Sequence, residues 1–297
     1  MMFAELKPRM RTAAILIAAV AALYVIAIIT DHARWVFLPV IFGVVGICAY
    51  EFATFCSVER GIKNKTPLYL LVTILPPLFV FIGLLLTTVS PERDDYFIRH
   101  EHSALLAVAS GMYLATIIGL AYSLVLGRGD RSVIEGVFKE LLVGIFHIGF
   151  CGAVLMAMVM VPDFQWKLLW LMLVVFSNDT AAYFVGRRLG GPKLAPEVSP
   201  NKTISGSLGG VFGGMIVGAI FTYLLNSEVP YTPLDAIVIA LLVTITAQLG
   251  DLAKSYAKRL HGVKDSGHIL PGHGGLLDRV DGLLMGAPAL YLWLLIF

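Results

Sequence analysis

The feature that most constrains the fold of this chain is its succession of long apolar runs. A helix needs roughly 20 residues to cross the hydrocarbon core of a membrane, and 58% of the 297 residues are hydrophobic whereas 14% are charged. Nine runs approach or reach that length: 12–30, 35–56, 68–89, 103–126, 140–161, 167–186, 208–225, 234–253 and 282–297. We therefore predict an all-α fold, a polytopic integral membrane helix bundle with about nine transmembrane helices.

The basic residues are distributed unevenly between the two ends of these runs. The segment before the first run and the loops after the second, fourth, sixth and eighth runs hold 18 of the 22 Lys and Arg residues. Because basic loops stay on the cytoplasmic side of a membrane, the N-terminus and these loops are predicted to be cytoplasmic. The expected location is the cytoplasmic (inner) membrane, with the polar loops facing the cytoplasm.

The chain divides into a first part with few polar residues suited to catalysis or binding and a second part that is rich in them. Residues 1–166 are predicted to form about five transmembrane helices with short loops. Residues 167–297 carry two long cytoplasmic loops, 187–207 and 254–281, and the first of these is rich in Gly, Pro and Ser, which favours turns. Glu51 and Gln248 are polar groups at membrane depth, where such residues usually face the bundle interior.

Three carboxylates in the second part have the arrangement expected of a metal site. Asp251 ends an apolar run, and Asp278 and Asp281 are three residues apart at the start of the last one, so the latter two share a helical face. Mg²⁺ binds one or two carboxylates together with water and substrate phosphates. Capping of a helix N-terminus would explain one of these aspartates but not all three.

Basic residues and glycines are interleaved with these carboxylates. Lys258 and Arg259 follow Asp251 by two helical turns, and Lys202, Lys264 and Arg279 lie nearby in the sequence or in the loops. Cations that meet the charge of a leaving pyrophosphate accelerate phosphoryl and nucleotidyl transfer. A positive-inside bias alone would explain the basic residues, but not their interleaving with Asp and Gly.

Two further polar segments complete the set of candidates. Pro271–Gly275, with sequence PGHGG, is a turn in which backbone N–H groups can approach a phosphate, although the chain has no P-loop motif. His273 in this turn either binds substrate or braces the turn. Asn178 and Asp179 interrupt an apolar run, which suggests a functional role, and Ser199–Thr203 presents Lys202 on a turn.

The segment Ser255–Asp281 resembles the signature of the phosphatidate cytidylyltransferases, also called CDP-diacylglycerol synthases. The resemblance lies in its Ser, its paired Lys-Arg, its Lys-Asp, the PGHGG turn and the final Asp-Arg-x-Asp. The stretches Asn178–Arg187 and Ser199–Thr203 also resemble that family. The chain departs from the family pattern at Lys254 and at Ser205, where Glu is usual.

The resemblance implies the reaction of CTP with phosphatidate, a lipid of the bilayer, to give CDP-diacylglycerol and pyrophosphate. It implies a Mg²⁺ requirement, a possible second, monovalent cation such as K⁺, a membrane homodimer and no nucleic-acid partner. The expected catalytic residues are Lys258, Arg259, Lys264, Asp265, His273 and Arg279. The expected substrate-binding residues are Asp179, Arg187, Lys202, Thr203, Ser255, Gly272, Gly274 and Gly275. The expected metal ligands are Asp251, Asp278 and Asp281.

Two other functions remain open from the sequence. A CTP-dependent lipid kinase of the polyprenol type would share the membrane and the nucleotide, but would transfer the γ-phosphoryl group to an alcohol. A transporter of an anionic solute would explain basic loops, but it would place charges deep in several helices along a continuous path. The charges of this chain concentrate on one face, which favours the transferase.

Overall fold

The computed structural model describes residues 2–30, 33–56, 66–88, 96–127, 130–225 and 232–296. The α-helices are α1 (Met2–Ile29), α2 (Ala33–Cys56), α3 (Thr66–Thr88), α4 (Tyr96–Gly127), α5 (Arg131–Gly144), α6 (Cys151–Ala157), α7 (Phe164–Leu189), α8 (Ile204–Leu224), α9 (Pro233–Leu260) and α10 (Leu277–Ile296). A π-helical turn, Ile145–Phe150, joins α5 to α6, and a 3₁₀ turn, Met158–Met160, follows α6. A short antiparallel hairpin of β1 (Lys193–Ala195) and β2 (Ser199–Thr203) lies between α7 and α8.

Nine helical segments within the described residues are long and apolar enough to cross a membrane, which confirms the predicted helix bundle. Their outward residues include many large apolar side chains, such as Ile15, Ile17 and Phe212, that are more than half exposed. An exposed apolar surface of this extent is expected where lipid rather than water is the solvent. The chain is therefore a multi-span membrane protein.

Several predicted boundaries are wrong by a few turns. The fifth span was predicted to begin at residue 140, but the helical run begins at Arg131, because Asp130 caps it by accepting the Ser132 N–H at 2.9 Å. The hydrogen bonds from Ser132 also hold the pKa of the Asp130 carboxyl below its ordinary value. The first turns of this helix are exposed and charged, so apolar length alone did not reveal them.

The two long loops are also shorter than predicted. The loop 187–207 shrinks to the hairpin and its turns, because α7 continues to Leu189 and α8 begins at Ile204. The loop 254–281 shrinks because α9 continues to Leu260 and α10 begins at Leu277. Basic residues at the C-terminal end of α9 and Asp278 in the first turn of α10 favour these extensions electrostatically. The basic segment 57–65 lies outside the described residues.

The backbone groups into two compact units: residues 1–161 with 263–279, and residues 162–262 with 280–297. In the first unit, α2, α3, α4 and the run from α5 to α6 pack together around buried residues such as Tyr69, Leu84 and Leu141. In the second unit, α8 packs against both α7 and α9. The predicted division into N-terminal transmembrane helices, 1–166, and a C-terminal catalytic region, 167–297, stays a prediction.

Small residues allow the close packing of α7 and α8. One side of α8 buries Gly206, Gly210, Gly214 and Gly218, spaced four residues apart. A Cβ built on Gly210 would lie 2.8 Å from the backbone oxygen of Asn178 on α7, so the two backbones are nearly in contact. Small residues commonly mediate helix association in membranes for this reason.

Candidate functional site

The second compact unit contains a buried lysine bound to two of the predicted metal ligands. Lys254 lies one turn after Asp251 on α9, and its Nζ is 3.2 Å from Asp251 Oδ1 and 2.6 Å from Asp281 Oδ2 on α10. The Lys254 side chain is only 5% exposed, and that of Asp281 is 9% exposed. Asp251 and Asp281 are therefore brought together around one ammonium group.

A second lysine approaches the same cluster from the hairpin. Lys202 on β2 forms an ion pair with Asp251 Oδ2, and its side chain is 29% exposed. The next residue, Thr203, caps α8 by accepting the Gly206 N–H at 3.1 Å, so β2 leads directly into a membrane helix. The Thr203 hydroxyl is thus a helix cap, and its predicted role in substrate binding stays a prediction.

The same unit also contains a network of hydrogen bonds made by side-chain amides of α7 and α9 with groups on α7 and α8. Gln248 Nε2 donates to Asn178 Oδ1 at 2.7 Å and to the Ser207 carbonyl at 3.0 Å. Asn178 Nδ2 in turn donates to Asp179 Oδ1 at 3.0 Å. Asn178 is buried, whereas Asp179 is exposed. The network fixes Asp179 by one of its oxygens and leaves its carboxylate accessible.

The donor atoms of Asp251 and Asp281 suit Mg²⁺ in type and number, because this ion takes one or two carboxylates and completes its shell with water and phosphate oxygens. Both carboxylates are at present paired with lysine ammonium groups. Among the described residues, no three His, Cys, Asp or Glu side chains are grouped so as to hold a metal ion. The complete site with Asp278 therefore stays a prediction.

In the first compact unit, Asp278 takes part in a different set of contacts. Its Oδ2 accepts the Ser266 N–H at 2.8 Å and the Ser266 hydroxyl at 3.0 Å. The same hydroxyl oxygen lies 3.2 Å from Glu51 Oε2, so its single proton is shared between the two carboxylates. Glu51 also accepts the backbone N–H groups of Leu276 and Leu277 at 2.9 and 2.8 Å. A buried carboxylate of α2 thus caps the N-terminus of α10.

The PGHGG segment forms a closed turn, as predicted. Leu270 and Gly274 pair across it, and the N–H groups of His273 and Gly274 both donate to the Leu270 carbonyl. These two N–H groups are therefore already bonded, and a phosphate site in this turn would depend on other donors. Arg279 Nη2 donates to the His273 carbonyl at 2.8 Å, which ties the turn to the first turn of α10.

The His273 ring is half-buried in this turn. Its Nδ1 is buried without a hydrogen-bond partner in the part of the chain that the structure describes. A buried ring nitrogen without a partner is costly, so this nitrogen is suited to form a hydrogen bond when a polar group binds. Of the two roles that the sequence left open, substrate contact is the one that this observation favours.

The remaining candidates lie on the surface or near it, except for the buried Gly275. Arg187 is exposed and donates to the Tyr183 hydroxyl at 2.8 Å, and Arg259 is exposed with its Nε 3.4 Å from the Val198 carbonyl. The other positions are the half-buried Ser255 and Lys258 on α9, the exposed Lys264 and Asp265 after it, and Gly272 and Gly275 in or beside the turn. Their predicted roles stay predictions.

Three residues make contacts in or near the candidate site that were not predicted from the sequence. Lys254 had no predicted role, although its spacing from Asp251 places both on one helical face. Ser266 gave no signal, because an isolated serine in a polar loop is ordinary. Glu51 did give a signal, since a carboxylate in an apolar run requires a polar partner, but its partner lies in a distant part of the sequence.

Comparison with known proteins decides the family. The profile described as "Cytidylyltransferase family" matches residues 7–297, which is nearly the whole chain. The chain belongs to the cytidylyltransferase family. The family resemblance inferred from Ser255–Asp281 is thereby confirmed.

Relatives in this family come from several bacteria. A protein of Brucella suis biovar 1 (strain 1330) is 48% identical over 155 residues, which are 52% of this chain and 56% of that protein. A protein of Staphylococcus haemolyticus (strain JCSC1435) is 30% identical over 220 residues, 74% and 79% of the two chains. A protein of Rickettsia felis is 34% identical over 221 residues, 68% and 97%. Each of the three is named phosphatidate cytidylyltransferase, and the chain spans little more than half of the Brucella protein.

Proposed function

We propose that this chain is a phosphatidate cytidylyltransferase, which converts CTP and phosphatidate to CDP-diacylglycerol and pyrophosphate. The observation that carries the proposal is the cluster of Asp251 and Lys254 on α9, Asp281 on α10 and Lys202 on β2. Two neighbouring carboxylates and the more exposed ammonium group of Lys202 are what a Mg²⁺–triphosphate complex needs. The relatives that carry this name support the same reaction.

The reaction needs orientation and charge neutralisation more than it needs a strong base. An oxygen of the phosphatidate phosphate attacks the α-phosphorus of CTP in line, the new P–O bond forms, and the bond to the β-phosphate oxygen breaks to release pyrophosphate. The second pKa of a phosphate monoester is about 6, so the attacking group is already anionic near neutral pH. Residues that hold the two phosphates together therefore supply most of the rate enhancement.

The residues of the second unit divide these tasks. Asp251 and Asp281 are the groups that would hold Mg²⁺, which would neutralise charge on the triphosphate. Lys202 is the more exposed of the two lysines in the cluster, so its ammonium can exchange Asp251 for a phosphate oxygen. Lys258 and Arg259, in the last turn of α9, add positive charge for the phosphates of either substrate.

The residues of the segment 263–279 supply further cations and a fixed turn. Lys264 is exposed and can meet a phosphate, and Arg279 positions the turn through the His273 carbonyl. His273 and Asp265 are assigned to orienting substrate groups. Asp278 is assigned to the metal site from its place one turn before Asp281 on α10.

The proposed orientation follows from charge. The N-terminus and the basic loops face the cytoplasm, because they hold 18 of the 22 Lys and Arg residues, and CTP reaches the site from that side. The membrane is the inner membrane, in keeping with the bacterial relatives. We also propose that the protein works as a homodimer, as the family resemblance implies; the mass of the detergent-solubilised protein, measured by light scattering, tests this.

The activity is tested with purified full-length protein in detergent micelles and CTP labelled at the α-phosphorus. Label is expected in the lipid phase only when phosphatidate and Mg²⁺ are both present. Asp281→Asn is expected to lower the rate at least about 100-fold, because it removes one carboxylate from the metal site. Glu135→Gln is the matched control, since Glu135 is an exposed carboxylate paired only on the surface of α5.

Two other outcomes overturn the proposal. If label remains in the aqueous phase as CDP while an added lipid alcohol becomes phosphorylated, the protein is a CTP-dependent kinase. If CTP is not consumed under any condition by protein that is folded, a transferase of either kind is excluded. Equal loss of activity in Asp281→Asn and Glu135→Gln would contradict the assignment of the carboxylate site.

A further inference from the structure

The buried ammonium of Lys254 has a different environment from every other cation of the candidate site. Its side chain is 5% exposed, against 29% for Lys202, and it contacts carboxylates on two helices. Lys258 is half-buried and Arg259, Lys264 and Arg279 are exposed. Lys254 is therefore the cation of this set that is least able to reach a substrate phosphate.

The two carboxylates that Lys254 contacts need a positive charge close by. Asp281 is buried, and an ionised carboxylate in a buried place is strongly unfavourable unless it is paired. Asp251 would repel Asp281 if no cation lay between them. A bound cation could supply this charge, and the family resemblance allows a monovalent one such as K⁺. In this chain, however, the Lys254 Nζ already lies within ion-pair distance of both carboxylates.

We propose that Lys254 is a built-in cation that holds Asp251 and Asp281 in register, so that this pair needs no bound monovalent cation. Lys254 is then a positioning residue, because it acts on the substrate only through the two carboxylates. Lys202, which shares Asp251, is the lysine left to respond to substrate. This inference concerns the assembly of the carboxylate pair and goes beyond the proposed reaction.

The proposal predicts different effects of replacing the two lysines, because different ion pairs remain in the cluster after each substitution. Removal of Lys254 takes from Asp281 its ion-pair partner and leaves Asp251 with Lys202, so a cation from solution then becomes favourable beside Asp281. Removal of Lys202 leaves Asp251 paired with Lys254, so the fold of the cluster persists. Dependence of stability on a monovalent cation is therefore a property that only the Lys254 variant should acquire.

The test measures thermal unfolding of the full-length protein in detergent with EDTA, in choline chloride and in potassium chloride of equal ionic strength. The wild type is expected to have the same Tm in both salts. Lys254→Gln is expected to lose about 5 °C or more in choline chloride, because a buried ion pair has lost one partner, and to recover part of the loss in potassium chloride. Lys254→Arg keeps a cation and should show no potassium dependence.

Lys193→Gln is the matched control, because Lys193 is an exposed lysine on β1 in the same compact unit. Its Tm should equal that of the wild type in both salts. The proposal is overturned if Lys254→Gln has the wild-type Tm in choline chloride, or if potassium raises the wild-type Tm as much as it raises that of the variant.

A double variant covers the case in which Lys254→Gln does not fold. Lys254→Gln with Asp281→Asn removes the ammonium together with one of the carboxylates, so it should be more stable than Lys254→Gln alone. Where Lys254→Gln does fold, a Tm loss of the double variant equal to the sum of the two single losses would count against the proposal. Where Lys254→Gln does not fold, a folded double variant supports it. If neither variant folds, the comparison of the wild type in the two salts decides, since potassium dependence there overturns the proposal and its absence supports it.

A second measurement depends on the proposed function. Cytidylyl transfer by the wild type should proceed at the same rate in both salts, whereas Lys254→Gln should require potassium. If the wild type transfers no cytidylyl group, the proposed function fails but the thermal measurements still test Lys254. If transfer occurs and the wild type needs potassium, the proposed function stands and the role of Lys254 falls.

Discussion

Glu51 Oε2 on α2 accepts the backbone N–H of Leu277 at 2.8 Å, although the two residues are 226 positions apart in the chain. Glu51 Oε1 accepts the Leu276 N–H at 2.9 Å. The first N–H groups of a helix have no partner within the helix, and here a buried carboxylate supplies one. The apolar first half of the chain, which has few reactive groups of its own, thus fixes the backbone at Leu276 and Leu277, directly before Asp278.

Replacement of Glu51 by Ala should therefore destabilise the protein and loosen the segment before α10. Each orphaned N–H is expected to cost about 1–3 kcal/mol, which would appear as a lower Tm and as faster hydrogen exchange at Leu276 and Leu277. Glu197→Ala is the control, because Glu197 is exposed in the turn of the hairpin. Unchanged exchange at the two leucines in Glu51→Ala would show that this carboxylate does not cap α10.

Gly275 is expected to tolerate no side chain. A Cβ at this position would lie 2.0 Å from Ser266 Oγ and 2.7 Å from Glu51 Oε2. Gly275→Ala should therefore lower the Tm and also the transfer rate, because Ser266 also binds Asp278. Gly43→Ala is the comparison, since nothing lies within 4 Å of a Cβ there, and alanine in a helix is about 1 kcal/mol more favourable than glycine. Equal Tm changes in the two variants would contradict the steric argument.

Gly210 on α8 should be equally intolerant for a different reason. A Cβ there would lie 2.7 Å from Asn178 Oδ1 and 2.8 Å from the Asn178 backbone oxygen, so Gly210→Ala should push α8 from α7 and break the hydrogen bond between Asn178 and Gln248. We expect a loss of about 1–3 kcal/mol in the free energy of unfolding, measured by thermal or chemical unfolding. Gly46→Ala, with its nearest contact at 3.9 Å, is the control and should cause no loss of stability.

The proposed orientation can be measured with a single cysteine in the hairpin. The native Cys48, Cys56 and Cys151 are all buried and give little background. Glu197→Cys should react with a membrane-impermeant maleimide in inside-out vesicles and remain unreactive in intact, right-side-out vesicles. A cysteine introduced at Asp163, between the 3₁₀ turn and α7, should behave in the opposite way. The reverse pattern would place the hairpin on the far side of the membrane.

The lengths of the apolar runs predicted the membrane spans well, because the lipid bilayer itself requires a minimum apolar length. A helix that crosses the hydrocarbon core must be long and apolar whatever its partners are, so all nine runs appear as helices among the described residues. The ends of these helices depend on weaker and more local forces. Asp130 caps α5 and Thr232 caps α9 through a capping box with Asp235, and such ends extend beyond the apolar part of the run.

Long-range pairing in the site was not predictable from the sequence. The spacing of Asp251 and Lys254 placed both on one face of a helix, but nothing in the pattern indicated that the ammonium would also reach Asp281. The contact between Glu51 and Leu277 likewise joins distant segments. The hairpin was predicted only as turns, because strands of three and five residues are too short to show a period.

The glycine side of α8 has a thermodynamic consequence for how the second unit assembles. Burial of glycine freezes no rotamers, whereas burial of a long side chain loses up to about 2 kcal/mol of conformational entropy. In lipid, two helices gain little from hiding apolar surface from their surroundings. The association of α7 and α8 buries Gly206, Gly210, Gly214 and Gly218. It therefore gains dispersion contacts between backbones at almost no cost in the side-chain entropy of these four residues. The hairpin that carries Lys202 joins these two helices, so their close packing holds both of its ends.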